Sequence, residues 1–199
     1  MYKDNIPPVN LSNFIKVDFT NKLVIIYLGR LAESQKQISK LILAASKIRN
    51  KDFIIIIAGT GRDKDYYIKL TKFQGLSDKI IFAGFVTEDV KISLYKVADV
   101  FVQPSQNESF GLTTLEAMHY GDILLATKNK GSVEIINDKR DGLFIKVDPT
   151  DIAEKINWIA SLKESGRNTL KQNAIKKSNY FNYDKMLSGY IKLIEELAN

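Results

Sequence analysis

Glu108 and Glu116 flank a phenylalanine–glycine turn in the segment Asn107-Glu108-Ser109-Phe110-Gly111-Leu112-Thr113-Thr114-Leu115-Glu116-Ala117-Met118. The turn follows an apolar strand and opens a helix. Such a junction gathers free backbone N–H groups and the positive end of a helix dipole at one spot, which suits phosphate. The two carboxylates are acceptors, which suits hydroxyl groups. Phosphate and hydroxyls together describe a sugar nucleotide. Simpler roles exist for the same residues. Glu108 is also an acid favoured by a nearby helix N-terminus. Thr113-Thr114-Leu115-Glu116 fits a capping box, in which the glutamate reaches back to the N-cap N–H. Gly111 serves as a turn residue and Phe110 as a core plug whether or not a ligand binds.

A second constellation is Gly29-Arg30-Leu31 followed by Lys36. A guanidinium in a strand–helix loop grips phosphate oxygens in a fork, and a lysine adds a point charge. The alternative for Lys36 is a solvated helix lysine. Gly59-Thr60-Gly61 lacks the third glycine of a dinucleotide fingerprint, because position 64 is Lys64. It and Gly84-Phe85-Val86 read as turns after strands. The single histidine, His119, reads as a helix-end residue and cannot build a zinc site alone.

The elements that position these residues follow from periodicity. Apolar runs at 23–28, 53–58, 80–83, 100–102, 123–126 and 143–145 predict six buried strands. Ile38, Leu41, Ile42, Ala45 and Ile48 predict one helix over 35–48, and further helices are expected at 65–73, 88–98, 113–119, 132–136, 165–178 and 183–197. Another helix, capped by Thr150 or Asp151, runs through Ile159. Strands apolar throughout, each followed by a helix, indicate a parallel sheet covered on both faces. The expected fold is α/β, a doubly wound, Rossmann-like parallel sheet. Ligands of such sheets sit beyond the carboxyl ends of the strands, where every motif above falls. Residues 1–20, with Pro7-Pro8, read as a linker or trailing edge strand, and 21–199 as one nucleotide-sugar-binding domain.

Composition narrows the function classes. Hydrophobic residues make up 45% and charged residues 26%, a globular balance. No cysteine is present, which excludes disulfides and thiolate chemistry. The net charge of +6 comes from dispersed lysines, without the aromatic–basic signature of an RNA module, so no nucleic-acid partner is expected. Apolar runs reach about six residues, far short of the roughly 20 needed to span a membrane. With a polar, proline-bearing N-terminus, a cytoplasmic location is expected. Lys171, Lys176 and Lys177 fit either a solvated face or peripheral contact with anionic lipid on the cytoplasmic face.

The Glu108–Glu116 segment, together with Arg30 and Lys36, resembles the Glu-x7-Glu signature of retaining GT-B glycosyltransferases, the glycosyl transferases group 1 family. The likeness runs from about residue 22 to 195 and corresponds to one lobe, the C-terminal donor-binding one. It implies transfer of a hexose from a nucleoside diphosphate sugar to a glycan or lipid-linked acceptor, as in surface polysaccharide biosynthesis, with retention at the anomeric carbon. It places Glu108 as the catalytic carboxylate beside the donor sugar. It places Glu116 on the ribose, Arg30 and Lys36 on the phosphates, and Phe110, Gly111, Leu112 and Thr113 at the helix start that cradles the diphosphate. Gly59 would line the nucleotide pocket and the backbone at Val86 would meet the base. No metal and no cofactor are implied. An N-terminal acceptor lobe, in cis or in trans, would be required, so this chain alone is expected to bind donor and transfer nothing. In full-length relatives the last helix, here with Leu187, Tyr190, Ile191 and Ile194, crosses toward that lobe; otherwise it packs on its own sheet. The chain departs from the family pattern at three places. Lys36 stands one residue farther from the arginine, Lys130 replaces the first glycine of a Gly-Gly-x-x-Glu stretch ending in Gly131 and Glu134, and Asp122-Ile123 replaces a small residue and proline. Two competing readings are a non-catalytic nucleotide-sugar-binding subunit that needs a partner chain, and a doubly wound flavin protein.

Overall fold

All six expected strands form. They are β1 (Leu23–Leu28), β2 (Phe53–Ala58), β3 (Ile80–Gly84), β4 (Val100–Gln103), β5 (Ile123–Thr127) and β6 (Leu143–Ile145). The computed structural model describes residues 5–50, 52–108, 110–181 and 183–198. Every strand pair is parallel, in the order β3-β2-β1-β4-β5-β6. Chain direction across the sheet reverses between β1 and β4, and a doubly wound sheet opens a crevice at the carboxyl ends of the strands there.

Nine α-helices are present among the described residues: α1 (Glu33–Lys36), α2 (Ile38–Ala45), α3 (Lys64–Phe73), α4 (Glu88–Val97), α5 (Leu112–Tyr120), α6 (Lys130–Ile135), α7 (Pro149–Ser161), α8 (Glu164–Ser178) and α9 (Tyr183–Ala198). Strand side chains alternate between two apolar layers. Leu23, Ile25 and Tyr27 face a layer with Leu41 and Ile42 of α2 and Ile152, Ile156 and Ile159 of α7. Val24, Ile26 and Leu28 face the other, with Leu94 and Tyr95 of α4 and Leu115 and Met118 of α5. Each fully buried aliphatic side chain there contributes about 1.5–3 kcal/mol relative to exposure. The sheet is therefore the rigid part, and the loops at its carboxyl edge inherit fixed positions.

Two local expectations are corrected, and of the two readings of residues 1–20 the edge strand falls away. The helix expected over 35–48 is two helices, α1 and α2, separated by Gln37 in the left-handed region at φ 50°. The break is held by the Glu33 carboxylate, which accepts from both the N–H and the hydroxyl of Ser39 in the first turn of α2. The cap of α7 is Asp148 rather than Thr150 or Asp151. Its side chain accepts from the N–H groups of both, at 2.9 and 3.0 Å, with Pro149 opening the helix. The described part of 1–20 forms no strand. It makes a short 3-10 turn at Leu11–Asn13 and buries Leu11 and Ile15 on the α4–α5 layer. Leu187, Ile191 and Ile194 of α9 are exposed. Asn182 and the side chain of Tyr190, both within the expected aromatic and apolar stripe, lie outside the described residues.

Asp122, one of the departures from the family pattern, sits at the start of β5, at the opposite sheet edge from the crevice. It is fully buried, and neither carboxylate oxygen has a hydrogen-bond partner among the described residues. Burial, with Asp99 adding and Lys171 opposing, pushes its pKa well above the usual carboxylate range. A carboxyl that keeps its proton when folded and loses it when unfolded makes the folded state bind more protons. Stability then falls as pH rises above the unfolded value of about 3.9. The expected result is a decline in unfolding free energy between pH 5 and 7, with this residue contributing at most about 1.4 kcal/mol per pH unit. Asp122→Asn should flatten that decline and exceed the wild type at pH 7. Urea unfolding at both pH values checks this. A variant weaker than wild type at pH 7 would mean that the carboxylate is ionised and held by Lys171.

Candidate functional site

The crevice at the β1–β4 reversal is a cleft of about 710 Å3 lined by Arg30, Gln35, Lys36, Asn107, Glu108, Asn129 and Lys130. Each comes from a segment just past a strand end. Arg30 follows β1 and Gly29, and Gln35 and Lys36 form the end of the one-turn α1. Asn107 and Glu108 lie in the loop after β4, and Asn129 and Lys130 begin α6 after β5. The loop after β4 is tied down on both sides. The Gln106 N–H donates to the Gln35 carbonyl at 2.9 Å, and the Gly131 N–H donates to the Glu108 carbonyl at 3.2 Å.

Glu108 is the centre of the polar network. The Lys36 ammonium donates to its Oε2 at 2.6 Å, with both side chains mostly buried. The Gln103 amide donates to the same oxygen at 2.7 Å. Lys36 therefore reaches the cleft despite the extra residue after Arg30. The break at Gln37 ends α1 just beyond Lys36. Among the described residues neither Arg30 nor Lys130 has an acidic partner, so three cations face one carboxylate and the lining is electropositive. An electropositive concave surface concentrates anions. Beneath it, Tyr27 donates to the Arg30 carbonyl at 2.9 Å. Burial and then the Glu108 charge push the Tyr27 phenol well above its ordinary range, so it stays neutral and keeps donating.

The second glutamate is placed apart from the first. Glu116 lies beyond the first turn of α5 and accepts from Lys91 Nζ and from the Tyr95 hydroxyl, both at 2.9 Å. Lys91 also pairs with Glu88 at 3.1 Å. Burial works against the Lys91 charge, but Glu116 and Glu88 outweigh it and hold the ammonium above its ordinary range. The capping-box alternative is overturned. The N-cap of α5 is Gly111, at φ 83°, not Thr113, and among the described residues no side chain caps the helix. Its first-turn N–H groups are thus left uncapped by side chains, the arrangement an anion would complete. A Cβ at Gly111 would stand 3.2 Å from the Thr114 hydroxyl and 3.5 Å from Glu108 Cγ, in a left-handed conformation that favours glycine.

The remaining expected site residues do not line the 710 Å3 cleft. Phe110 is half-buried and meets Phe181 edge-on at 6.3 Å. Leu112 is exposed, and the Thr113 carbonyl lies 3.3 Å from the Tyr95 hydroxyl, whose proton goes to the nearer Glu116 carboxylate. Gly59 directly follows β2, with its N–H donating to the Gly84 carbonyl at 2.7 Å. Val86 packs partly into the α4–α5 layer. Gln103, Lys91 and Tyr95 were not singled out in the sequence. Gln103 carried a signal, as the one polar residue closing an apolar strand; Lys91 and Tyr95 carried none, since their role depends on α4 lying beside α5. Among the described residues no helix is long and apolar enough to cross a membrane.

The family model described as glycosyl transferases group 1 matches residues 11–177. An uncharacterized glycosyltransferase of Methanocaldococcus jannaschii is 32% identical over 201 residues, covering 95% of this chain and 51% of that protein. A D-inositol 3-phosphate glycosyltransferase of Salinispora arenicola is 30% identical over 186 residues, covering 87% of this chain and 41% of its own length. The chain thus spans about half the length of these relatives. The crystal structure of Anabaena HepE in complex with UDP and glucose superposes with a TM-score of 0.84 at 21% identity, over 98% of this chain and 55% of that one, a likeness of fold.

Proposed function

Because the chain belongs to the glycosyl transferases group 1 family, we propose that its cleft takes the diphosphate and sugar of a nucleoside diphosphate sugar, for a hexosyl transfer with retention at the anomeric carbon. The observation that carries this reading is the convergence of Arg30, Lys36 and Glu108 at the β1–β4 crevice, with the uncapped start of α5 close to Glu108. Arg30 and Lys36 take the phosphates, and neutralise the charge that grows on the departing diphosphate. Phe110, Gly111, Leu112 and Thr113 offer backbone N–H groups to the same anion. Glu108 accepts from sugar hydroxyls and opposes the positive charge that develops on the ring as its bond to phosphate breaks. Glu116 takes the ribose hydroxyls, for which Lys91 and Tyr95 orient it. Gly59 and Val86 border the nucleoside. The HepE structure, which holds UDP and glucose on the same fold, supports this choice of ligand.

The other half of the relatives' length supports a second lobe for the acceptor; the reading takes that acceptor to be a glycan or a lipid-linked precursor on the cytoplasmic side of the membrane. This chain alone binds donor weakly and transfers nothing. Thermal-shift titration with UDP-, GDP- and ADP-sugars tests the reading. At a hundredfold excess over Kd the matching donor adds about 2.7 kcal/mol and raises Tm by about 5–10 °C. Arg30→Ala removes a charge-assisted fork and weakens that donor roughly 10- to 100-fold. No shift with any of the three would defeat the proposal.

A further inference from the structure

Gln103 is the fourth residue of β4, after Val100, Phe101 and Val102, and it is buried with them, at 3% exposure. An apolar side chain would suit that position better. Gln103 leaves its Oε1 buried without a hydrogen-bond partner among the described residues, a state proteins rarely tolerate without a reason. The amide nitrogen supplies the reason. Gln103 Nε2 donates to Ser105 Oγ at 3.0 Å and to Glu108 Oε2 at 2.7 Å. Ser105 is itself fully buried, and its carbonyl accepts from Thr127 Oγ1 and from Asn129 Nδ2. The Gln103 amide is thereby anchored to a network that joins the carboxyl ends of β4 and β5.

Lys36 and Gln103 both donate to Oε2 of Glu108, and among the described residues Oε1 accepts no hydrogen bond. The two donors differ in what they can do next. The lysine ends a flexible stem in a phosphate-seeking cleft, whereas the glutamine is locked in the core. We propose that Gln103 is a positioning residue that holds Glu108 by Oε2 and leaves Oε1 to the donor sugar, and that it keeps doing so when Lys36 swings to the diphosphate. The inference rests on the reading that Glu108 meets the sugar.

The test is Gln103→Leu in this chain, titrated with the pairs UDP-glucose and UDP, GDP-mannose and GDP, and ADP-glucose and ADP. The expected result is unchanged or higher thermal stability, diphosphate affinity within about twofold of wild type, and loss of about five- to tenfold of the preference for the sugar nucleotide over its diphosphate. A leucine variant that keeps the wild-type preference overturns the role of Gln103 alone. A wild type with no preference in any pair overturns the sugar contact of Glu108, and this role with it. A second measurement needs no nucleotide. The Gln103 side-chain amide signals in 1H–15N spectra should move and exchange faster with solvent in Glu108→Ala. Unmoved signals there also overturn the proposal.

Discussion

Gly59→Ala is expected to lower Tm by about 10 °C, through a loss of about 3–5 kcal/mol. A Cβ built at Gly59 lies 1.9 Å from the Gly29 carbonyl oxygen and 2.9 Å from its carbon, and the residue sits at φ 136°. Both clashing atoms are backbone, so no rotamer change relieves them. Relief requires parting strand ends that are stitched together. The Gly29 N–H donates to the Ala58 carbonyl at 3.0 Å, and the Gly59 N–H donates to the Gly84 carbonyl at 2.7 Å, so β1, β2 and β3 move together. The positive φ adds strain of about 1–3 kcal/mol for a residue with a side chain. Gly75→Ala is the control: its φ is also positive, at 67°, but nothing lies within 4 Å of the added carbon, so its loss should stay near 1 kcal/mol. Thermal unfolding of both variants measures the contrast, and equal losses would show that crowding at Gly29 is not the cause. Because Gly29 leads directly into Arg30, Gly59→Ala should also weaken donor binding in whatever fraction remains folded.

The sheet was legible because its signal is strong and local. Leu23 to Leu28 and Phe53 to Ala58 are apolar at every position, as a strand covered on both faces requires, and their alternation with amphipathic helices leads to parallel pairing. The placement of Arg30, Lys36 and Glu108 at strand ends followed from the same pattern. What escaped is non-local. The break at Gln37 depends on the Glu33 carboxylate folding back onto Ser39, and the apolar periodicity of Ile38, Leu41 and Ile42 begins only beyond it, so it gives no sign of where the helix starts. Glu116 fits a capping box on spacing, yet the left-handed Gly111 starts α5 two residues earlier and turns the carboxylate to Lys91 and Tyr95 of a neighbouring helix. Gln103 fell just outside the apolar run 100–102, and its value lies in an acid five residues on. Burial of Asp122 without a partner is likewise invisible in a short Gly-Asp pair that reads as a turn.

Glu108→Gln should cut transfer by about 10²- to 10³-fold, assayed in a protein that carries both lobes, while nucleoside diphosphate affinity in this chain changes little. The substitution keeps the shape of the side chain and removes its charge, so it isolates the electrostatic part of the role. In the ground state the donor sugar is neutral, and a glutamine whose oxygen stays on the Gln103 amide turns its NH2 to the sugar hydroxyls, which accept as readily as they donate. In the proposed transfer, positive charge grows on the ring as the bond to phosphate breaks, and the Glu108 carboxylate is the group assigned to oppose it; a contribution that appears in the transition state alone lowers kcat rather than raising KM. Removing the carboxylate also frees Lys36, whose Nζ lies 2.6 Å from Oε2, to sit permanently on the phosphates. That release should hold or slightly raise diphosphate affinity, the opposite of what a disrupted cleft would give. Arg30→Ala and Glu108→Gln therefore separate the two halves of the site: the first is expected to act on binding, the second on the chemical step. A Glu108→Gln enzyme that retains more than about a tenth of wild-type kcat would place the compensating charge on another group.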